Sequence, residues 1–121
     1  MYNSQVPKKS ITQAPITINV FNDINALASG ATNAIVTYTV PSGKTFALEL
    51  VEFSGENIAN YRIYIDSTKV AERRTWFGGD LSGEFIFRGY RVQQDKVITL
   101  EVNNFRSTTG DFEGRIVGGF I

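Results

Sequence analysis

The chain of 121 residues is long enough for one domain around one core. Its 12 basic and 12 acidic residues cancel, which excludes a strong overall attraction to nucleic acid or to an anionic membrane. The absence of histidine and cysteine removes the commonest general base, the thiol nucleophile and the preferred ligands of zinc. We therefore expect a binding protein rather than an enzyme, with no catalytic residues, no metal and no cofactor.

The N-terminal segment differs in character from the rest of the chain. Residues 1–15 are polar, contain two prolines and show neither strand nor helix periodicity, so they are predicted to form an extended arm. Residues 16–121 are predicted to form a single β-sandwich domain. Two interpretations of the arm stay open, a disordered terminus and an arm that orders against a neighbouring subunit. In the second, the partner-binding residues are Tyr2, Val6, Pro7, Lys8 and Lys9.

The first half of the domain carries alternating apolar and polar residues, the pattern of half-buried strands. Strands are predicted over 16–20, 36–40 and 46–53, with a loop or short helical turn over 22–30. The Pro-Ser-Gly turn at 41–43 predicts that the second and third strands form a hairpin. A shift of apolar parity at Glu52 indicates a bulge in the third strand.

The second half continues the same pattern. The turn at 66–69 predicts another hairpin, and Gly89 interrupts a strand that begins near Phe85. The remaining strands are predicted over 61–65, 70–76, 85–87, 97–102 and 112–121. Eight short strands spaced about 8 to 14 residues apart favour an all-β, antiparallel, jelly-roll-like sandwich.

Aromatic residues are abundant, with nine Phe, five Tyr and one Trp. Most are predicted to belong to the core, above all Phe46, Phe85, Phe87 and Phe112, and the surplus to an interface.

Two sets of basic and aromatic residues are candidate partner-binding sites, since arginine beside an aromatic ring suits an interface. The first comprises Arg73, Arg74, Trp76 and Phe77; the second comprises Arg88, Tyr90 and Arg91. For the first set the alternative is that Trp76 or Phe77 closes one end of the core while the arginines are solvated.

Paired carboxylates are the remaining chemistry to consider, because glycosidases use two of them. The pairs Glu49–Glu52 and Asp80–Glu84 are close in sequence. Proximity in sequence is poor evidence for the required geometry, and Glu49 and Glu52, three apart on a strand, point to opposite faces unless the bulge intervenes. Both pairs are therefore interpreted as solvated surface charges.

Several segments together carry a family resemblance. They are Val-Pro-Ser-Gly-Lys-Thr-Phe at 40–46, Ser-Gly-Glu-Asn at 54–57, Tyr-Arg-Ile-Tyr-Ile-Asp at 61–66 and Phe-Glu-Gly-Arg-Ile-Val-Gly-Gly at 112–119. Their order resembles that in small jelly-roll modules of tailed-bacteriophage virions, most of all the decoration, or cement, proteins of capsids.

The resemblance implies a structural, non-catalytic role. It implies a homotrimer that bridges neighbouring capsomers, with itself and the major capsid protein as partners and with no nucleic acid or membrane partner. The expected location is the capsid surface of the virion, after synthesis in the host cytoplasm. Two alternatives remain: a tail or baseplate component, and a carbohydrate-binding module whose platform is Trp76, Tyr61 and Tyr90.

Overall fold

The computed structural model describes residues 16–76 and 78–121. The predicted arm and Phe77 lie outside the described residues. The strands are β1 (Ile18–Leu27), β2 (Thr32–Thr39), β3 (Phe46–Gly55), β4 (Asn60–Ile65), β5 (Thr68–Arg74), β6 (Ser82–Val92), β7 (Val97–Asn103) and β8 (Gly110–Phe120). In this part of the chain no helix is long and apolar enough to cross a membrane.

The eight strands form two four-stranded antiparallel sheets that pack face to face. Sheet 1 has the order β1-β8-β3-β6 and sheet 2 the order β2-β7-β4-β5. Only β4 and β5 are consecutive strands in the same sheet; every other connection crosses the sandwich. This is the strand order of a jelly roll, so the predicted antiparallel sandwich of eight strands is confirmed.

The core lies between the sheets and consists of the inward-facing residue of each alternating pair. Phe46 and Phe112 are fully buried, and Phe85 and Phe87 pack against the core while partly exposed, as predicted. The largest fully buried side chains are Tyr61, Phe46, Phe112, Ile35, Leu48, Ile63, Ile98, Leu100 and Ile116.

β1 is longer than its sequence pattern predicts. The loop or helical turn expected over 22–30 is wrong up to Leu27, because β1 stays paired with β8 through Asn22 and Ile24. Ile24 packs against the core while the polar residues beside it are exposed, so a sheet-edge strand tolerates a polar sequence here.

The two predicted hairpins have different outcomes. The hairpin of β2 with β3 is wrong, since the turn at 41–43 carries the chain from sheet 2 to sheet 1. The hairpin of β4 with β5 is confirmed, with its turn at Asp66 in the left-handed conformation. The predicted bulge in β3 exists, but its register step lies between Leu48 and Leu50 rather than at Glu52.

Four connections meet at one end of the sandwich, which we call the Trp76 end. Asn104 is fully buried there and donates hydrogen bonds from Nδ2 to the carbonyl oxygens of Leu27 (3.0 Å) and Thr108 (2.9 Å). Asn57 donates to the carbonyl of Thr109 at 3.1 Å. These amides fix the loops against one another. The connections are 28–31, 56–59, 75–81 and 104–109.

Candidate interaction surfaces

Trp76 is the most exposed large apolar side chain among the described residues, at 68 %. It lies beside a shallow hollow of about 190 Å³ that is also lined by Asn57, Leu81 and Arg106. The interpretation that Trp76 closes the end of the core is therefore wrong. Its indole is available to a partner at the Trp76 end.

The two arginines before Trp76 have partners within the chain. Arg73 donates from Nη1 to the carbonyl oxygen of Glu84 at 3.2 Å, which ties the edge strand β5 to the edge strand β6. The guanidinium of Arg74 lies 4.9 Å from the ring centroid of Phe105. Both side chains are exposed to solvent, and both also contact residues elsewhere in the sandwich.

The second basic and aromatic set lies along β6. Arg88 and Gly89 have positive φ of 53° and 86°, opposite the bulge of β3. Tyr90 is 46 % exposed and packs against Phe87, with ring centroids 5.9 Å apart. Arg91 is also exposed.

The two sets lie on the same side of the sandwich, where the edge strands β5 and β6 face each other. They do not form one patch. β6 starts at Ser82 near the Trp76 end, and Tyr90 lies about 25 Å further along an extended strand.

Tyr61 does not belong to any surface, which corrects the proposed sugar platform of three aromatics. Its side chain is fully buried and stacks on Phe53 with ring centroids 4.0 Å apart. Its hydroxyl has no hydrogen-bond partner, and burial raises the pKa of Tyr61 above its ordinary value. Trp76 and Tyr90 remain at the surface, far apart.

The carboxylate pairs give no glycosidase-like arrangement. Glu52 pairs with Arg115, with Oε1 3.1 Å from Nε. Glu49 is only 7 % exposed, so its interpretation as a solvated charge is wrong. Asp80 and Glu84 are exposed, as expected of solvated charges. Nowhere in residues 16–76 and 78–121 do three or more acidic side chains converge as a metal site would require.

The outer face of sheet 2 is closed by its own polar contacts. Arg62 bridges Glu72 (Nε to Oε2, 3.3 Å) and Glu101 (Nη1 to Oε1, 3.0 Å). Asn60 donates to Glu72 at 2.5 Å, and Lys69 pairs with the same carboxylate. These contacts form one polar network around Arg62 and Glu72.

Glu72 provides a test of this polar network by pH. Bonds from Lys69, Asn60 and Arg62 lower the pKa of Glu72 from 4.5 to about 2. A pKa lowered by folding means that the carboxylate stabilises the fold above pH 4.5, and that this contribution is lost as the pH falls toward 2. We expect the urea midpoint of Glu72→Gln to fall less than that of the wild type between pH 4.5 and 2. Asp80→Asn is the control, and equal acid curves for the two variants would contradict the assignment.

The outer face of sheet 1 has a different character. One cross-strand row contains Asn19, Val117, Leu50 and Ile86, with Ile86 58 % exposed. The next row contains Phe21, Arg115, Glu52 and Glu84, with Phe21 52 % exposed. We call these two rows, together with Glu49 beside them, the sheet 1 face.

Sequence reasoning missed the sheet 1 face, although a signal was present. Phe21 follows Val20 directly, and Ile86 lies between Phe85 and Phe87, so both occupy the parity that alternation assigns to solvent. A hollow of about 440 Å³ at this face, beside Phe21, is also lined by four acidic residues and one arginine: Glu52, Asp80, Glu84, Glu113 and Arg115. The face combines exposed apolar side chains with negative charge.

Comparison with known proteins assigns the chain to no family. No family model matches the chain, and no curated protein matches it. A solved structure to which it is similar is the solution NMR structure of a de novo designed double-stranded β-helix. That similarity has a TM-score of 0.42 and 15 % identity, and covers 83 % of this chain and 99 % of the designed one.

Proposed function

We propose that this chain is a structural, non-catalytic virion protein that decorates a bacteriophage capsid and bridges neighbouring capsomers as a homotrimer. The resemblance of its strand and turn segments to virion jelly-roll modules supports the virion assignment. The jelly-roll strand order supports it further, since viral capsid domains often have this architecture.

The observation that carries an assembly role is the asymmetry of the surface. Both outer faces contain paired charges, Arg62 with Glu72 on sheet 2 and Glu52 with Arg115 on sheet 1. The sheet 1 face and the Trp76 end differ in that they also leave Phe21, Ile86 and Trp76 more than half exposed. Exposed large apolar side chains of this kind are typical of protein interfaces.

The test uses purified full-length protein and capsid shells from virions that lack it. We expect the protein to sediment with the shells and to raise their resistance to heat. Trp76→Ala is expected to weaken binding about 30-fold, as loss of an aromatic hot spot does. Thr37→Ala, on the outer face of sheet 2, is the matched control.

One outcome would overturn the proposal, and a second would exclude the Trp76 end as the site of binding. A monomer that ignores the shells is incompatible with a decorating role. Binding that is equally weakened by Trp76→Ala and Thr37→Ala would remove the Trp76 end from the interface. Imaging of intact particles distinguishes the capsid surface from the tail or baseplate.

A carbohydrate-binding module is the second candidate function, favoured by one observation. Trp76 lies exposed beside a hollow that carries the polar side chains of Asn57, Glu56 and Arg106, and sugar sites often combine an aromatic ring with such groups. A glycan array probed with the wild-type protein and Trp76→Ala distinguishes the two, because only the module would lose a glycan signal.

A further inference from the structure

Glu49 is buried without a partner. Its side chain is 7 % exposed, and Oε2 is closed to solvent with no hydrogen bond. No ion pair joins it to Arg88, Arg91 or any other residue in the described part of the chain. A buried carboxylate that lacks a cation or a donor is unfavourable, so this group requires an explanation.

The bulge of β3 puts Glu49 on the sheet 1 face. Leu48 and Val51 are both fully buried in the core, and the register step between Leu48 and Leu50 leaves Glu49 as the additional residue that points outward. Gly89 of β6 lies beside the carboxylate, since a Cβ at that position would be in van der Waals contact with Oε2, 3.6 Å away. The position of the Glu49 side chain is therefore set by two strands, β3 and β6.

The cross-strand row next to Glu49 is largely apolar. Leu50 follows it in β3 and is in register with Val117 on one side and with Ile86 on the other. A ligand that fits this surface carries a positive charge flanked by apolar groups.

Residues 1–15 have this chemistry. They contain Lys8 and Lys9 with no acidic residue, and Val6 and Ile11 lie on either side of the pair. All twelve acidic residues belong to the rest of the chain, which is therefore net negative. The segment and the sheet 1 face are complementary in charge.

The point where the described chain begins makes the contact reachable. Thr17 donates its backbone N–H to Gly118 at 3.0 Å, and Gly118 is in register with Leu48, the neighbour of Glu49. Two strand spacings, about 10 Å, separate β1 from β3. The residues between Lys9 and Ile16 can span about 20 Å when extended, so no second chain is needed.

We propose that residues 1–15 bind across the sheet 1 face of their own chain, with the ammonium group of Lys8 or Lys9 paired to Glu49. The segment then covers Leu50 and Ile86, and another partner of this face must displace it. This inference goes beyond the proposed function and does not depend on it, because the contact forms in the free protein.

The absence of cysteine allows a direct test on the full chain. A nitroxide spin label is attached to Ser10→Cys, and the broadening of backbone amide signals is recorded by NMR. We expect the signals of Leu50, Ile86 and Val117 to broaden, while those of Thr37 and Thr99 on the outer face of sheet 2 stay sharp. Broadening distributed evenly over both faces would overturn the proposal.

A mixed sample identifies which chain supplies the segment. Spin-labelled protein without ¹⁵N is combined with ¹⁵N-labelled protein without the spin label. We expect no broadening in the mixture, because the segment binds its own chain. Broadening of the sheet 1 face in the mixture would overturn the intramolecular contact and assign the segment to a second copy.

Charge removal tests the role of Glu49. In the spin-labelled chain, Glu49→Gln is expected to lower the ratio of bound to free segment about tenfold, since the bond it removes is charge-assisted. Lys8→Gln combined with Lys9→Gln should have the same effect without touching the sandwich. Glu101→Gln, on the opposite face, is the control. Unchanged broadening in both the Glu49 and the lysine variants would overturn the proposal.

Discussion

Replacing Gly118 with alanine is expected to destabilise the fold by about 3 kcal/mol, because the added methyl group has no space. Gly118 lies in β8 between two paired strands, in register with Ile18 and Leu48. A Cβ there would overlap the backbone carbonyl oxygen of Ala47 and lie 2.5 Å from Cζ of Phe46. Phe46 is fully buried, so neither obstacle can move without disturbing the sheet or the core.

Gly79→Ala is the matched control for this substitution. Gly79 lies in the connection between β5 and β6, and the nearest atom to an added Cβ is the carbonyl oxygen of Trp76, 3.6 Å away. We expect a change within about 0.5 kcal/mol, as for most surface substitutions. The measurement is the free energy of unfolding in urea. Equal losses in the two variants would show that the crowding at Gly118 relaxes.

The second large effect is expected at Tyr61, where two substitutions have opposite signs. Tyr61→Ala removes a fully buried ring that stacks on Phe53 and lies edge-on to Phe112, and is expected to destabilise the fold by about 3 to 5 kcal/mol. Tyr61→Phe keeps the ring and removes a buried hydroxyl that has no partner. It is expected to stabilise the fold by about 1 kcal/mol.

Alkaline pH separates the hydroxyl from the ring. Burial raises the pKa of Tyr61 above the ordinary 10.0, so the unfolded chain releases this proton at a lower pH than the folded one. Below pH 10 the neutral hydroxyl of Tyr61 makes its full contribution to the stability of the fold. This contribution is lost as the pH rises above 10. We expect Tyr61→Phe to reduce the loss of urea midpoint above pH 10. Identical alkaline curves would show that the hydroxyl is solvated.

The strand pattern was largely predictable, whereas the pairing of strands was not. Alternation reports which side chains of a strand are buried, a property that acts within a few residues. It therefore identifies β3 and β7 correctly. Pairing depends on contacts between distant parts of the chain. This is why the turn at 41–43 was misinterpreted as a hairpin and the pairing of β1 beyond Val20 was missed.

The candidate surfaces were likewise predictable only in part, because exposure depends on contacts between distant parts of the chain. Trp76 was predicted to be a recognition residue from its local setting, but its exposure depends on loops that Asn104 and Asn57 hold. Tyr61 belongs to an equally regular alternation and is buried, because the opposite sheet covers it. Phe21 and Ile86 were assigned no role, since a single strand does not reveal that they line one face.

Composition and periodicity alone determined that this is an all-β domain with about eight strands and without histidine or cysteine chemistry. Those properties are local, because residue type and two-residue alternation express them directly. Tertiary structure alone decided the jelly-roll order, the burial of Glu49 at the bulge, and the grouping of exposed Phe21 and Ile86 on the outer face of sheet 1. Each of these depends on which distant strands become neighbours, and that choice is made by packing of the whole core.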